Sequence, residues 1–219
     1  MRVVSLQSGF GVDHLVLEDR PVPRCGAAEI LIRLRAASLN YRDLLMVEGK
    51  YDPKVALPLV PCSDGAGEVV EVGADVTRFR VGDRVCPTFA RGWLDGPPTR
   101  ETPRRGLGGP LDGTLAEYFV ADAESAVKIP DHLSYLEAAT LPCAAVTAFR
   151  ALFEEGSLTP GQSLLVIGTG GVSTFAVLLG KLAGARVFVT SRDSAKLARA
   201  LTLGADVGID LGQTTSAGR

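Results

Sequence analysis

Apolar residues come in short bursts through the first half of this chain and in longer, helix-spaced runs through the second. The early bursts cover residues 2–7, 14–18, 29–37, 65–72, 83–88 and 115–121. Turn residues separate them: Pro21-Val22-Pro23, Gly73-Ala74-Asp75 and Val81-Gly82-Asp83. Short strands at this spacing predict a small, irregular β-barrel. Tyr41–Val47 predicts one short helix, with Asn40 as its cap. Residues 90–112 are rich in Pro and Gly and long for a compact domain, so they read as a mobile flap or a partly disordered stretch.

After Pro130 the period changes. Residues 135–140 and 142–153 carry helical patterns, which Gly156 and Pro160-Gly161 stop. Then apolar runs at Ser163–Ile167, 185–190 and Val207–Asp210 alternate with helical patterns over 172–183 and 194–203. This is β-α-β-α-β with short connections, which right-handed crossovers build into a parallel sheet. The domains expected are therefore 1–125, mostly β, and 126–219, α/β.

The strand at 163–167 enters its helix through Gly168-Thr169-Gly170-Gly171-Val172-Ser173. Free backbone N–H groups and the positive end of the helix dipole meet at such a turn, which suits a pyrophosphate. Gly168 permits the tight turn, Gly170 the close approach of the phosphates, and Ser173 is small enough for helix–strand packing. A β-α-β unit that binds nothing is the alternative. Glycines at the strand exit argue against it, because they weaken packing unless a ligand approaches.

The tip of the second strand selects the cofactor. It reads Thr190-Ser191-Arg192-Asp193, with Ser191 where an acid would hold the ribose 2′-hydroxyl of NAD. Ser191, Arg192 and, one turn on, Lys196 suit a 2′-phosphate instead, which favours NADP(H) over NAD(H). Alternatively, Arg192 is a solvated loop residue and Asp193 is the acid; Asp193 reads better as a helix cap.

Composition narrows the function classes. With 219 residues, 46% hydrophobic, the chain can build one or two cores. A net charge of −2 without a long basic patch speaks against nucleic acid. None of the four cysteines forms a C-x-x-C pair, so neither a zinc knuckle nor a redox dithiol is indicated. No signal peptide and no apolar run of roughly 18 residues occur, so a cytoplasmic protein is expected.

Gly65-Ala66-Gly67-Glu68-Val69-Val70-Glu71-Val72-Gly73, followed by Val81-Gly82-Asp83-Arg84-Val85, resembles the signature of a GroES-like catalytic domain. Gly113-Thr114-Leu115-Ala116-Glu117-Tyr118 and Ala138-Ala139-Thr140-Leu141-Pro142 with Thr147-Ala148 resemble the segments that lead out of it and into a nucleotide-binding domain. In this order they resemble the medium-chain dehydrogenase/reductase superfamily, over nearly the whole chain. The fold this implies is a GroES-like irregular β-barrel followed by an incomplete Rossmann domain. A family member continues well beyond this point, so the resemblance implies a C-terminally truncated chain.

Within the superfamily the chain resembles the zinc-free branch of quinone oxidoreductases and enoyl reductases. Asn40 stands where the zinc enzymes have a cysteine, and Ser63-Asp64 where they have His-Glu; neither offers the ligands zinc prefers. The resemblance implies hydride transfer between NADPH and a quinone, enone or related carbonyl, in a homodimer, without zinc. Asn40, Tyr41 and Asp43 become candidate catalytic residues: an amide donor, a hydroxyl able to pass a proton, and a carboxylate to orient either. Each has a plain alternative: Asn40 as a helix cap, Tyr41 as packing, and Asp43 as a surface pair with Arg42. Ser63 and Asp64 are expected beside the substrate cleft, and Thr147 facing the nicotinamide. A catalytically incompetent remnant and a zinc-type alcohol dehydrogenase are the competing readings.

Overall fold

The computed structural model of the chain describes residues 1–212; the polar tail at 213–219 lies outside the described residues. Close contacts group the chain into Met1–Cys143 and a second unit from Ala144 onward.

The first unit opens with an antiparallel hairpin of β1 (Arg2–Leu6) and β2 (Leu15–Asp19). Five further strands follow: β3 (Glu29–Ser38), β4 (Asp64–Val72), β5 (Arg84–Pro87), β6 (Tyr118–Asp122) and β7 (Ala126–Lys128). They form one antiparallel sheet in the order β6-β3-β4-β5-β7. The register of β3 on β4 shifts between Leu31 and Ile32 and again between Leu34 and Ala36. Such bulges bend a strand, and the sheet curls into the half-barrel of a GroES-like fold. Ile30 and Ile32 of β3 point inward against Val69, Val85 and Phe79, the centre of the core.

Two elements depart from the expectation. The burst at 115–121 is shared: Leu115 accepts from the Val4 N–H of β1, and only from Tyr118 does the chain pair with β3. β7 is an additional strand on the far edge. It pairs with β5, and α2 (Tyr135–Ala139) packs on β3 and β4 through Ala138 and Ala139. These contacts hold residues 126–143 to the first unit.

The stretch expected as a flap is folded onto the barrel. Ala90 bridges Gly106, the Arg91 N–H donates to Arg105, and Leu107 is buried.

From Leu141, just before the second unit starts, the helical stretch is irregular. Leu141–Ala145 and Arg150–Glu155 are π-helical turns on either side of α3 (Val146–Phe149). Pro142 has no N–H to give to a regular helix. Then β8 (Ser163–Ile167), α4 (Gly171–Leu182), β9 (Arg186–Ser191), α5 (Ser194–Thr202) and β10 (Val207–Asp210) build a three-stranded parallel sheet, ordered β10-β9-β8. Val166, Val187 and Val189 pack with Val177 of α4 and Leu197 and Ala200 of α5. The other face carries Leu165, Phe188 and Val207 in register, and beyond them Ile167 and Ile209. Leu165 is 55% exposed and Ile167 78%.

Candidate functional site

Each unit holds one part of the predicted site. In the first, α1 (Tyr41–Val47) starts at Asn40, and Asp43 reaches back to accept from the Asn40 N–H at 2.7 Å. The Asn40 side-chain amide nitrogen is buried and meets no partner at hydrogen-bonding geometry. Tyr41 points outward, 75% exposed.

Ser63 and Asp64, expected to border the cleft, are sealed from solvent. The Ser63 hydroxyl donates to Asp64 Oδ1 at 2.9 Å, and the Cys143 N–H donates to Asp64 Oδ2 at 3.0 Å. Burial raises the Asp64 carboxyl above the usual range; the Cys143 N–H, the Ser63 hydroxyl and the nearby Asn40 amide hold it back. Burial raises Asp43 too, against the Asn40 N–H and the Arg42 charge. Burial also pushes the Cys62 thiol to about 12 and Cys143 to about 11, so both stay protonated near neutrality. Among the described residues no group of three His, Cys, Asp or Glu side chains is placed to hold a metal ion.

Sequence reasoning missed the residue that ties this cluster together. Arg42, weighed above only as half of a surface pair, is nearly buried. Its Nη1 donates to the Leu107 carbonyl at 2.8 Å and its Nη2 to the Gly109 carbonyl at 3.1 Å. The guanidinium lies 3.4 Å from Asp43 Oδ1 and about 5 Å from the ring centres of Tyr51 and Phe89. The segment so clamped presses on Cys62, whose φ of 72° is left-handed. A Cβ on Gly113 would strike the Cys62 carbonyl oxygen. Nothing in the local sequence signals these contacts, which lie 65 and 67 residues apart.

In the second unit the glycine turn is formed as the sequence implies. Gly168 has φ +90° and donates its N–H to the Thr190 carbonyl, which fastens the exit of β8 to β9. Gly170 caps α4 in extended conformation, and a Cβ there would meet nothing within 4 Å. The first-turn N–H groups of Gly171, Val172 and Ser173 have no intrahelical acceptor. Ser173 folds its hydroxyl back on the Ile167 carbonyl at 3.3 Å. An open concavity lined by glycine and first-turn N–H groups fits a dinucleotide pyrophosphate.

At the β9 tip Ser191 is buried, and its hydroxyl accepts from the Asp193 N–H at 3.0 Å. Arg192 is exposed. Asp193 caps α5 by accepting from the Lys196 N–H at 3.0 Å, and the Lys196 ammonium stands 4.0 Å from it. Thr147 lies on α3, exposed.

Residues 26–131 match the model of the alcohol dehydrogenase GroES-like domain. A zinc-type alcohol dehydrogenase-like protein of Schizosaccharomyces pombe is 48% identical over 198 residues, 89% of this chain and 57% of that protein. The chain belongs to the medium-chain dehydrogenase/reductase superfamily. A chloroplast envelope quinone oxidoreductase homolog of Arabidopsis thaliana is 35% identical over 82% of this chain and 51% of its own length. The crystal structure of an NAD-dependent alcohol dehydrogenase superimposes with a TM-score of 0.89 at 34% identity, covering 98% of this chain and 64% of that one. The chain thus spans somewhat over half the length of these family members. Among its described residues no helix is long and apolar enough to cross a membrane.

Proposed function

We propose that this chain acts in an NADP(H)-dependent, zinc-independent oxidoreductase that moves hydride between NADPH and a quinone, enone or other carbonyl or alcohol, in the cytoplasm and as a homodimer. The observation that carries the reading is the turn from β8 into α4, where nothing packs over Gly170. When bound, the nicotinamide supplies or accepts the hydride. The chain does the rest. The first-turn N–H groups of α4 hold the pyrophosphate, with Gly168, Thr169 and Gly171 shaping the turn. Ser191, Arg192 and Lys196 hold the 2′-phosphate. No acid at Ser191 competes for that position, although the NAD-dependent neighbour shows that the fold also serves the other cofactor.

On the substrate side, the Asn40 amide is the donor suited to a carbonyl oxygen, and the exposed Tyr41 hydroxyl can pass a proton. Asp43 orients Asn40 through its backbone. Thr147 offers an exposed hydroxyl for the nicotinamide carboxamide. Ser63 and Asp64 act from behind, fixing the Cys143 backbone. Zinc independence is supported by the donor set: an amide at Asn40, a hydroxyl at Ser63 and thiols held protonated are poor ligands.

The test is NADPH oxidation with a panel of quinones, enones and aldehydes, alongside metal analysis. Turnover with well under one zinc per chain is expected. One tightly held zinc per chain would support the zinc-type reading carried by the name of the fission-yeast relative. NADPH binding without turnover would mark this chain as catalytically incompetent.

A further inference from the structure

Asp43 is the point where several strands of the first unit's polar cluster meet. Its side chain is only 5% exposed. Oδ2 accepts from the Asn40 N–H at 2.7 Å, and the Ser63 N–H beside the carboxylate also favours its charged form. Oδ1 faces Arg42 Nη1 at 3.4 Å. The same Nη1 donates to the Leu107 carbonyl and Nη2 to the Gly109 carbonyl, while the rings of Tyr51 and Phe89 flank the guanidinium. One planar fork therefore spans the carboxylate at the start of α1 and a loop 65 residues further on. Arg42 is also the one cation that acts on Asp43 and on the thiols of Cys62 and Cys143.

We propose that Arg42 is a positioning residue of the substrate site: its guanidinium fixes the Asp43 carboxylate, and through it the Asn40 backbone, so that the Asn40 amide keeps one direction toward a carbonyl oxygen. The inference rests on the reading of Asn40 as the carbonyl donor. A buried carboxylate that loses its counter-charge takes up a proton or turns toward water. Either change weakens the charge-assisted bond that holds the Asn40 N–H. A donor that has lost its direction costs transition-state stabilisation more than ground-state binding. A lysine keeps the charge but offers no planar fork to span a carboxylate and two carbonyls.

The experiment is amide hydrogen exchange of the full chain followed by NMR, together with NADPH oxidation by 1,4-naphthoquinone. In Arg42→Gln the Asn40 N–H should exchange about tenfold faster or more, read against the Val69 N–H of the barrel core, which donates to the Asp83 carbonyl. In the same variant kcat should fall about tenfold or more, with KM within about twofold. Arg42→Lys should show part of both effects. In an Asp43→Asn background Arg42→Gln should change neither reading further, because the link runs through Asp43. The Val69 rate reports whether the fold is kept, and if Arg42→Gln does not fold, Arg42→Lys carries the comparison. Faster exchange confined to the Leu107 and Gly109 N–H groups would make Arg42 a loop clamp alone and overturn the inference. Losses that add in the double variant would overturn it too. Faster Asn40 exchange in Arg42→Gln with no NADPH oxidation by wild type would keep the link from Arg42 to Asn40 and overturn the reductase reading instead.

Discussion

Glycines at two places in this protein do opposite work. In the barrel unit glycines let backbones collide closely: Gly113 lies against the Cys62 carbonyl and Gly108 against the Cys62 backbone. In the α/β unit Gly170 faces open space. The barrel seals its polar groups, with Asp64, Ser63 and Asp43 buried and bonded to one another's neighbourhood. The α/β unit leaves the N-terminus of α4, the Arg192 side chain and one apolar sheet face exposed. Close packing around buried, hydrogen-bonded carboxylates makes a rigid support for a site; an open helix N-terminus makes a surface that can take a ligand.

The largest effect should come from filling the barrel's closest approach. Gly113→Ala would force a methyl onto the Cys62 carbonyl, and the expected loss is about 3 kcal/mol of stability, the upper range for overpacking. Thermal unfolding reads it directly. A melting temperature unchanged by the substitution would mean the loop can retreat, and the closed description of the barrel would fail.

A smaller loss is expected at Arg42. Arg42→Ala leaves the Leu107 and Gly109 carbonyls without their donor and should cost about 1–3 kcal/mol. It should also free the segment over Cys62, so that a thiol reagent that reacts slowly with wild type reacts much faster with the variant. Arg42→Lys, a point charge without the fork, should fall between. Equal Cys62 reactivity in all three proteins would remove Arg42 as the clamp.

The smallest effect is electrostatic. Asp64 titrates above its unfolded value because of burial. The stability it contributes is therefore fully present below the unfolded carboxylate pKa and is lost as pH rises through the folded one. Asp64→Asn should flatten that fall, making the difference from wild type shift in the variant's favour between acid and neutral pH. Denaturant titrations at several pH values check the sign. A steeper fall in the variant would show that the Cys143 N–H and Ser63 hydroxyl outweigh burial.

Local signals found the second unit well and the first unit's site poorly. The glycine turn, β8, α4 and β9 are consecutive in sequence, so strand period, turn chemistry and helix start occupy one legible stretch. Asp193 could be read as the α5 cap because capping acts over three residues. β7 escaped notice because three residues show no alternation. The burst at 115–121 looked like one strand because sequence cannot tell that its first part bonds β1 and its second β3. Arg42 looked like a surface charge because its partners sit in a loop that composition described as mobile. Resemblance puts Asp64 beside an open cleft; its partner, the Cys143 N–H, lies 79 residues away.

The account's central claim is that the turn at Gly168–Ser173 holds NADPH. Titrating NADPH and NADH by their own fluorescence against wild type and Gly170→Ala tests it most directly. A Cβ at Gly170 meets nothing in the protein, so the variant should melt with wild type. It should nevertheless lose NADPH affinity by about tenfold or more, because the methyl takes up the space of the pyrophosphate. Wild type should prefer NADPH to NADH. Equal NADPH affinity in the two proteins, or no saturable binding in either, would contradict the claim.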